Sequence, residues 1–248
     1  MTPAILRARG LSRRFGGLIA VADVSLDLCT GHAHAVIGPN GAGKSTLINL
    51  LSGAAQPDEG TIHLNETEIS RLSDWRRSRA GIGRSFQRAN VFPAMTVLEN
   101  ARLAAQGAAR GWRLLRGAES DPETLGQAFS ALDQVGLKAS ATDLARTLSH
   151  GQRRLLEIAL VLATRPKVLL LDEPLAGLGA EETAPIVALL QALAMDHAML
   201  LVEHDMDVVF AVASEITVMV DGRVLESGAP SAIRASSAVR DAYLGHRA

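Results

Sequence analysis

Gly38-Pro39-Asn40-Gly41-Ala42-Gly43-Lys44-Ser45-Thr46 decides how the rest of this chain is read. The stretch fits G-x-x-x-x-G-K-[ST], with a further Thr. Glycines let a backbone curl until successive N–H groups point inward at phosphate oxygens. In such a loop Lys44 reaches the β- and γ-phosphates of a nucleoside triphosphate, and the Ser45 hydroxyl ligates Mg2+. The competing reading is a Gly-rich turn that carries Lys and Ser by chance. The flanks argue against it. Ala33-His34-Ala35-Val36-Ile37 is a short apolar strand candidate, and Leu47, Ile48, Leu50 and Leu51 suit a buried helix that Gly53 stops. The loop defines a ligand class but not the use made of its energy.

Composition narrows the classes. A chain of 248 residues holds one large domain, or one domain with an inserted subdomain. A net charge of −1 provides no basic field for nucleic acid or an anionic membrane. Cys29 is the one cysteine, which excludes an internal disulfide and fits a reducing compartment. Met1-Thr2-Pro3-Ala4 leads into polar and Arg residues, so no signal peptide is expected, and no apolar run is long enough to span a bilayer. The expectation is a soluble protein that would serve a membrane from outside the lipid.

The N-terminal part reads as β-rich. Val24-Ser25-Leu26-Asp27-Leu28 alternates apolar and polar, Thr30-Gly31 is a turn, and Pro57-Asp58-Glu59-Gly60 is another turn before alternating Thr61-Ile62-His63-Leu64. From about Thr96 to Pro166 the pattern is helical, with a polar interruption around Ala109–Pro122. Leu155, Ile158, Ala159 and Leu162 make an amphipathic face that Pro166 closes. Val168-Leu169-Leu170-Leu171 and Met199-Leu200-Leu201-Val202 are continuous apolar runs, as parallel strands buried on both faces require. Asp221-Gly222 between two apolar segments signals a hairpin. The fold class is α/β, a single domain over 1–248 with a helical insertion at about 85–165.

Two further motifs carry chemistry. Asp172 and Glu173 end an apolar strand before Pro174, at the edge where open α/β sheets bind ligands. Asp172 is placed to hold Mg2+ and Glu173 to polarise an attacking water; a strand end with two solvated acids is the plain alternative. In Leu148-Ser149-His150-Gly151-Gln152, Ser149 and Gln152 fit a capping box. A capped helix N-terminus with exposed N–H groups and a hydroxyl also suits an anion. Cys29, His32 and His34 lack a fourth partner for a metal site.

Taken in order, Gly38–Thr46, Gln87, Leu148–Gln152, Asp172-Glu173-Pro174 and His204 resemble the motifs of ATP-binding subunits of ABC transporters, over essentially the whole chain. The resemblance implies a P-loop nucleoside triphosphatase core with a mostly parallel sheet, an N-terminal antiparallel β subdomain and an inserted helical subdomain. Residues 1–84 and 166–248 would form the core with its β subdomain, and 85–165 the helical subdomain. It implies ATP and Mg2+ as cofactors. Gln87 resembles the glutamine that senses metal and water, His204 the switch histidine, and Phe15 the aromatic that stacks on adenine. The implied catalytic set is Lys44, Gln87, Glu173 and His204, and the implied metal set is Ser45, Gln87 and Asp172. Ser149, Gly151 and Gln152 belong to the signature motif, with His150 where the family usually has Gly. Gly179 stands where the family usually has the Asp of the loop that follows Pro174, which bears on that residue's contact across the dimer.

Arg14-Phe15-Gly16-Gly17-Leu18, Arg84-Ser85-Phe86-Gln87, Met95–Asn100 and Val202–Met206 are similar to one branch, the ATPases of branched-chain amino acid importers. The resemblance implies pairing with a second ATPase, identical or related, so that one subunit's signature completes the other's phosphate site. It implies transmembrane permease subunits, indirect service to a solute-binding protein, no nucleic acid, and a peripheral position on the cytoplasmic face of the inner membrane. Val91, Phe92 and Met95 would line the permease contact or pack inside the helical block. An exporter ATPase or a non-transport ABC ATPase is the alternative.

Overall fold

The computed structural model describes residues 3–85, 91–108 and 121–244. Strands β1 (Ala4–Phe15) and β2 (Leu18–Cys29) form a long antiparallel hairpin with Arg7 opposite Asp27 and Ala8 opposite Leu26. Strand β3 (His32–Ile37) feeds the glycine-rich loop, and helix α1 (Lys44–Ser52) leaves it. The helix stops at Gly53, whose φ of 86° gives the left-handed cap foreseen for it. Strands β4 (Glu59–Leu64) and β5 (Thr67–Glu68) complete a four-stranded sheet of order β2-β1-β4-β5. Glu59 and Gly60 already belong to β4, so the turn expected over Pro57–Gly60 is shorter than its sequence suggests.

Helix α2 (Asp74–Ala80) follows, then strand β6 (Ile82–Arg84). The sequence pattern did not indicate α2. Its stretch is polar, and the helix is held by Arg77, which is fully buried and donates to the carbonyls of Leu50, Leu51, Ser70 and Leu72. Leu50 and Leu51 lie in the last turn of α1, whose carbonyls lack partners within the helix. Burial pushes the Arg77 guanidinium down to about 10.

Helices α3 (Val97–Ala108), α4 (Pro122–Gln134) and α5 (His150–Ala163) pack together through small residues, among them Ala101, Ala105, Ala128, Ala131 and Ala159. Most of the interruption foreseen around Ala109–Pro122 lies outside the described residues. Asp121 caps α4 by accepting the Glu123 N–H. The apolar face foreseen on α5 is present, with Ile158, Ala159 and Leu162 buried and Leu155 half-buried, and it extends to the fully buried Leu156. Helix α5 meets both the other helices and the sheet, so its buried arc is wider than one stripe.

The chain then adds strand β7 (Val168–Asp172), helix α6 (Ala180–Asp196), strand β8 (Ala198–Val202), helix α7 (Met206–Val212), strands β9 (Glu215–Val220) and β10 (Arg223–Gly228), and helices α8 (Pro230–Ala235) and α9 (Ser237–Leu244). The second sheet has the order β10-β9-β3-β8-β7-β6. All its pairings are parallel except the β9–β10 hairpin, which turns at Asp221-Gly222 with both φ values positive. Every residue of β7 and β8 is buried, as their unbroken apolar runs require. Alternate side chains of β7 serve different cores. Val168 and Leu170 join α1 and the antiparallel sheet; Leu169 and Leu171 join the helical side.

Among the described residues, no helix is long and apolar enough to cross a membrane.

Candidate functional site

The ends of β3, β7 and β8 lie side by side, with Val36 and Asp172 both paired to Val202. This is the C-terminal edge of the parallel strands, where open α/β sheets present their loops. Glycine is required in the loop after β3 for two measurable reasons. Gly38 and Gly43 have φ of +150° and +99°, and a Cβ would lie 2.1 Å from the Met219 carbonyl oxygen and 2.3 Å from the Ala20 carbonyl oxygen, respectively. Either substitution would force backbone against backbone. No side chain caps the N-terminus of α1, which leaves its first N–H groups without a side-chain cap to accept them.

Lys44 curls over that loop, its Nζ donating to the carbonyls of Gly38 at 2.7 Å and Pro39 at 2.9 Å. Burial lowers its pKa from the ordinary lysine value, and the charges of Glu173 and Asp172 oppose the shift. Ser45 is exposed, while Asn40, Gly41, Ala42 and Thr46 complete the loop and the start of α1. The tip of the β1–β2 hairpin stands beside the loop, since Ala20 lies against Gly43. That tip carries Phe15, half exposed, with the Arg13 guanidinium 4.9 Å from its ring centre.

Asp172 is 2% exposed, and its Oδ1 is buried without a hydrogen-bond partner. Burial raises its pKa, and Arg84 at the end of β6 pulls the other way. An acceptor-only oxygen left unpaired at that depth suits a cation. Its backbone N–H donates to the Ser85 hydroxyl at 3.1 Å. Glu173 has φ of 49°, a sparsely populated region for a side-chain-bearing residue, so it leaves the line of the strand. Its Oε1 lies 4.0 Å from His204 Nδ1, and the His204 ring is largely exposed. Lys44, Asp172, Glu173 and His204 are therefore gathered at one edge. Gln87 lies outside the described residues.

The pentapeptide Leu148–Gln152 forms the capping box read from its sequence. Ser149 Oγ accepts the Gln152 N–H at 3.2 Å, and Gln152 Oε1 accepts the Ser149 N–H at 3.0 Å. Among the described residues, no hydrogen bond or ion pair joins it to residues 38–46. Instead it and the turn of α5 that follows face the first turn of α6 and the loop after Glu173. The Gly151 N–H donates to Glu182 Oε1 at 3.0 Å, and Arg154 donates to the Ala176 carbonyl at 3.3 Å. His150 is exposed, and Gly179 stands as the residue capping α6. His34 is buried with its Nε2 2.8 Å from Thr217 Oγ1, while His32 is exposed.

Sequence reasoning missed two acids. Glu203, 2% exposed, accepts backbone N–H groups from Leu175 and His204. Glu182 accepts from Gly151 and Gly179. The signal for Glu203 was its place directly after a fully apolar strand; nothing local marks Glu182.

A groove of about 360 Å³ runs between α2 and the helical block. Trp75, Arg84, Phe92, Leu103, Leu160 and Val161 line it. Trp75, Phe92 and Leu103 are exposed. Asn100 fixes Phe92 by bonding to both its N–H and its carbonyl. Val91 packs on the helical core, and Met95 is half-buried.

A parallel sheet whose glycine-rich loop opens a helix, with two acids at the end of the next strand but one, defines a P-loop nucleoside triphosphatase. The profile of the family described as ABC transporter matches residues 21–176, and the chain belongs to that family as an ABC-type ATPase. It is 41% identical to the high-affinity branched-chain amino acid transport ATP-binding protein BraF of Pseudomonas aeruginosa, over 99% of each chain. It superposes with a TM-score of 0.88 and 30% identity on an ATP-binding cassette of an ABC transporter in its ADP conformation, covering 98% of this chain and 100% of that one. A dimeric cassette bound to ADP and phosphate matches with a TM-score of 0.76 and 26% identity, over 91% and 98% of the two chains.

Proposed function

We propose that this chain powers an importer of branched-chain amino acids, or of a similar small polar solute, by hydrolysing ATP between two ATPase subunits. The observation that carries the proposal is the meeting of Lys44, Asp172, Glu173 and His204 at one sheet edge, beside a loop only glycine can form. The likeness to BraF, spanning both chains, supports the solute class.

The residues fit both ATP and Mg2+. Backbone N–H groups of 38–46 and of the α1 N-terminus cradle the phosphates, and Phe15 offers a ring to the base. Ser45, Asp172 and Gln87 are the proposed metal ligands, with the unpaired Asp172 Oδ1 as the supporting observation. When bound, Mg2+ supplies charge neutralisation at the β- and γ-phosphates. Lys44 exchanges its two loop carbonyls for phosphate oxygens. Glu173 orients the attacking water and accepts its proton, His204 steadies the reacting phosphate, and Gln87 reports on metal and water. Ser149, Gly151 and Gln152 face the nucleotide of the second subunit, the reading supported by their distance in the hydrogen-bond network from this chain's own loop.

The core is assigned to residues 1–84 and 166–248 and the helical subdomain to 85–165. The groove between them is the proposed seat of an amphipathic helix from a permease subunit, with Phe92 and Trp75 as its exposed apolar contacts and a position on the cytoplasmic face of the inner membrane. Co-purification from native membranes with mass spectrometry tests the whole. An importer permease, a second ATPase or second copy, and a solute-binding protein are expected. Recovery with an exporter permease, or with no membrane protein, would overturn it.

A further inference from the structure

The loop that follows Glu173 is gripped at each end by a carboxylate. At its start the Leu175 N–H donates to Glu203 Oε1 at 3.0 Å, and at its end the Gly179 N–H donates to Glu182 Oε2 at 3.4 Å. The Glu203 grip is the buried one. Its side chain is 1% exposed, its second oxygen accepts the His204 N–H at 3.2 Å, and that oxygen lies 3.8 Å from His204 Nδ1. A carboxylate at such depth persists only with both oxygens engaged. Here the two donors belong to the two segments that bring Glu173 and His204 together.

Two bonds tie those segments. The Glu173 N–H donates to the Val202 carbonyl at 2.9 Å as the last rung of the β7–β8 ladder, while the Ala176 N–H donates back to the Glu173 carbonyl at 3.1 Å within the loop. Glu203 supplies the second tie, joining the residue two beyond Glu173 to the backbone of His204. Beyond that last rung the ladder stops, because β7 ends at Asp172 and Glu173 departs from it with φ of 49°. Past the end of the sheet ladder, the Glu203 carboxylate is the tie that relates the loop carrying Glu173 to the backbone of His204.

We infer that Glu203 is a positioning residue for hydrolysis, holding His204 in register with Glu173. The inference rests on the roles proposed above for those two residues. Glu203 itself touches no substrate. A neutral isostere in its place keeps one acceptor and turns an amide N–H₂ toward the other donor, so one tie is lost and His204 is released from the loop.

The test is a double-mutant cycle in the transporter complex recovered with the chain, read as single-turnover phosphate release and as steady-state kcat and KM for ATP. Glu203→Gln should lower kcat about tenfold with KM for ATP within about twofold. In a His204→Ala background the same change should lower kcat by less than about twofold, because the partner it positions is gone. An equal factor in both backgrounds, an unchanged kcat in the single variant, or a loss carried by KM would each overturn the inference. Glu203→Asp, which keeps the charge and withdraws it by one methylene, runs through the same cycle with the same expectation, so a poorly folding Gln variant leaves the question decidable. The unsubstituted complex and Lys44→Ala are measured alongside. If the former turns over ATP and the latter does not while the cycle is additive, the inference fails and the functional assignment stands.

Discussion

Replacing Lys44 by alanine gives the most direct measure of the phosphate loop. In the free protein the ammonium already has partners, the carbonyls of Gly38 and Pro39. Binding therefore trades two charge–dipole bonds for two charge–charge bonds. Bonds with one charged member contribute about 1.5–3 kcal/mol, and those with charge on both sides are stronger by a similar amount. The net loss on truncation is about 1.5 kcal/mol per contact, about 3 kcal/mol in all, or about a hundredfold in Kd. The fold should tolerate the change, since neither carbonyl belongs to a ladder and α1 keeps its N-terminal turn. The assay is ATP titration by filter binding or a fluorescent analogue, with thermal melting as control. A Kd within about twofold of the parent, at unchanged melting temperature, would refute the exchange argument. A pH series sharpens it. Burial lowers the Lys44 pKa in the free protein, so its charged form is lost as pH rises through a value below the ordinary lysine range. ATP affinity should weaken in that alkaline window, and Lys44→Ala should lack the slope.

Three further outcomes are expected. Glu173→Gln should bind ATP normally and hydrolyse it about 10²–10⁴-fold more slowly, with an ATP-trapped dimer visible by size exclusion; parental turnover would remove Glu173 as the base. Arg77→Met should destabilise the fold by about 2–4 kcal/mol in urea unfolding. Its buried bonds to the carbonyls of Leu50, Leu51, Ser70 and Leu72 are lost, against about 3 kcal/mol recovered from a guanidinium whose pKa burial has lowered to about 10; a change under about 0.5 kcal/mol would show those carbonyls find other partners. Phe92→Asp should leave ATP binding by the isolated chain unchanged and abolish co-purification with the permease; retained permease would place docking elsewhere.

The parts of this fold that are written locally were legible. Val168–Leu171 reads as a strand buried on both sides because every residue in it is apolar, and that strand necessarily delivers Asp172 to its end. The Ser149–Gln152 capping box spans four residues and depends on little else. Long-range parts were hidden. Helix α2 has a polar sequence and is fixed by Arg77 reaching carbonyls 26 and 27 residues away. Glu182 meets Gly151 from 31 residues away, and Glu203 meets Leu175 from 28. The β1–β2 hairpin was only half visible, since register shifts interrupt the alternation that marked Val24–Leu28.

Strand β7 acts as a party wall between two compartments, with Val168 and Leu170 facing one and Leu169 and Leu171 the other. Asp172 ends that wall and so inherits the packing errors of both sides. An extra methylene placed beside Leu51 or beside Leu156, neither of which bears chemistry, is felt through opposite faces of the same five residues. Loss of activity in a variant of either interior therefore reports displacement of the strand end, and two such variants, one from each side, are the arrangement in which opposite errors can cancel.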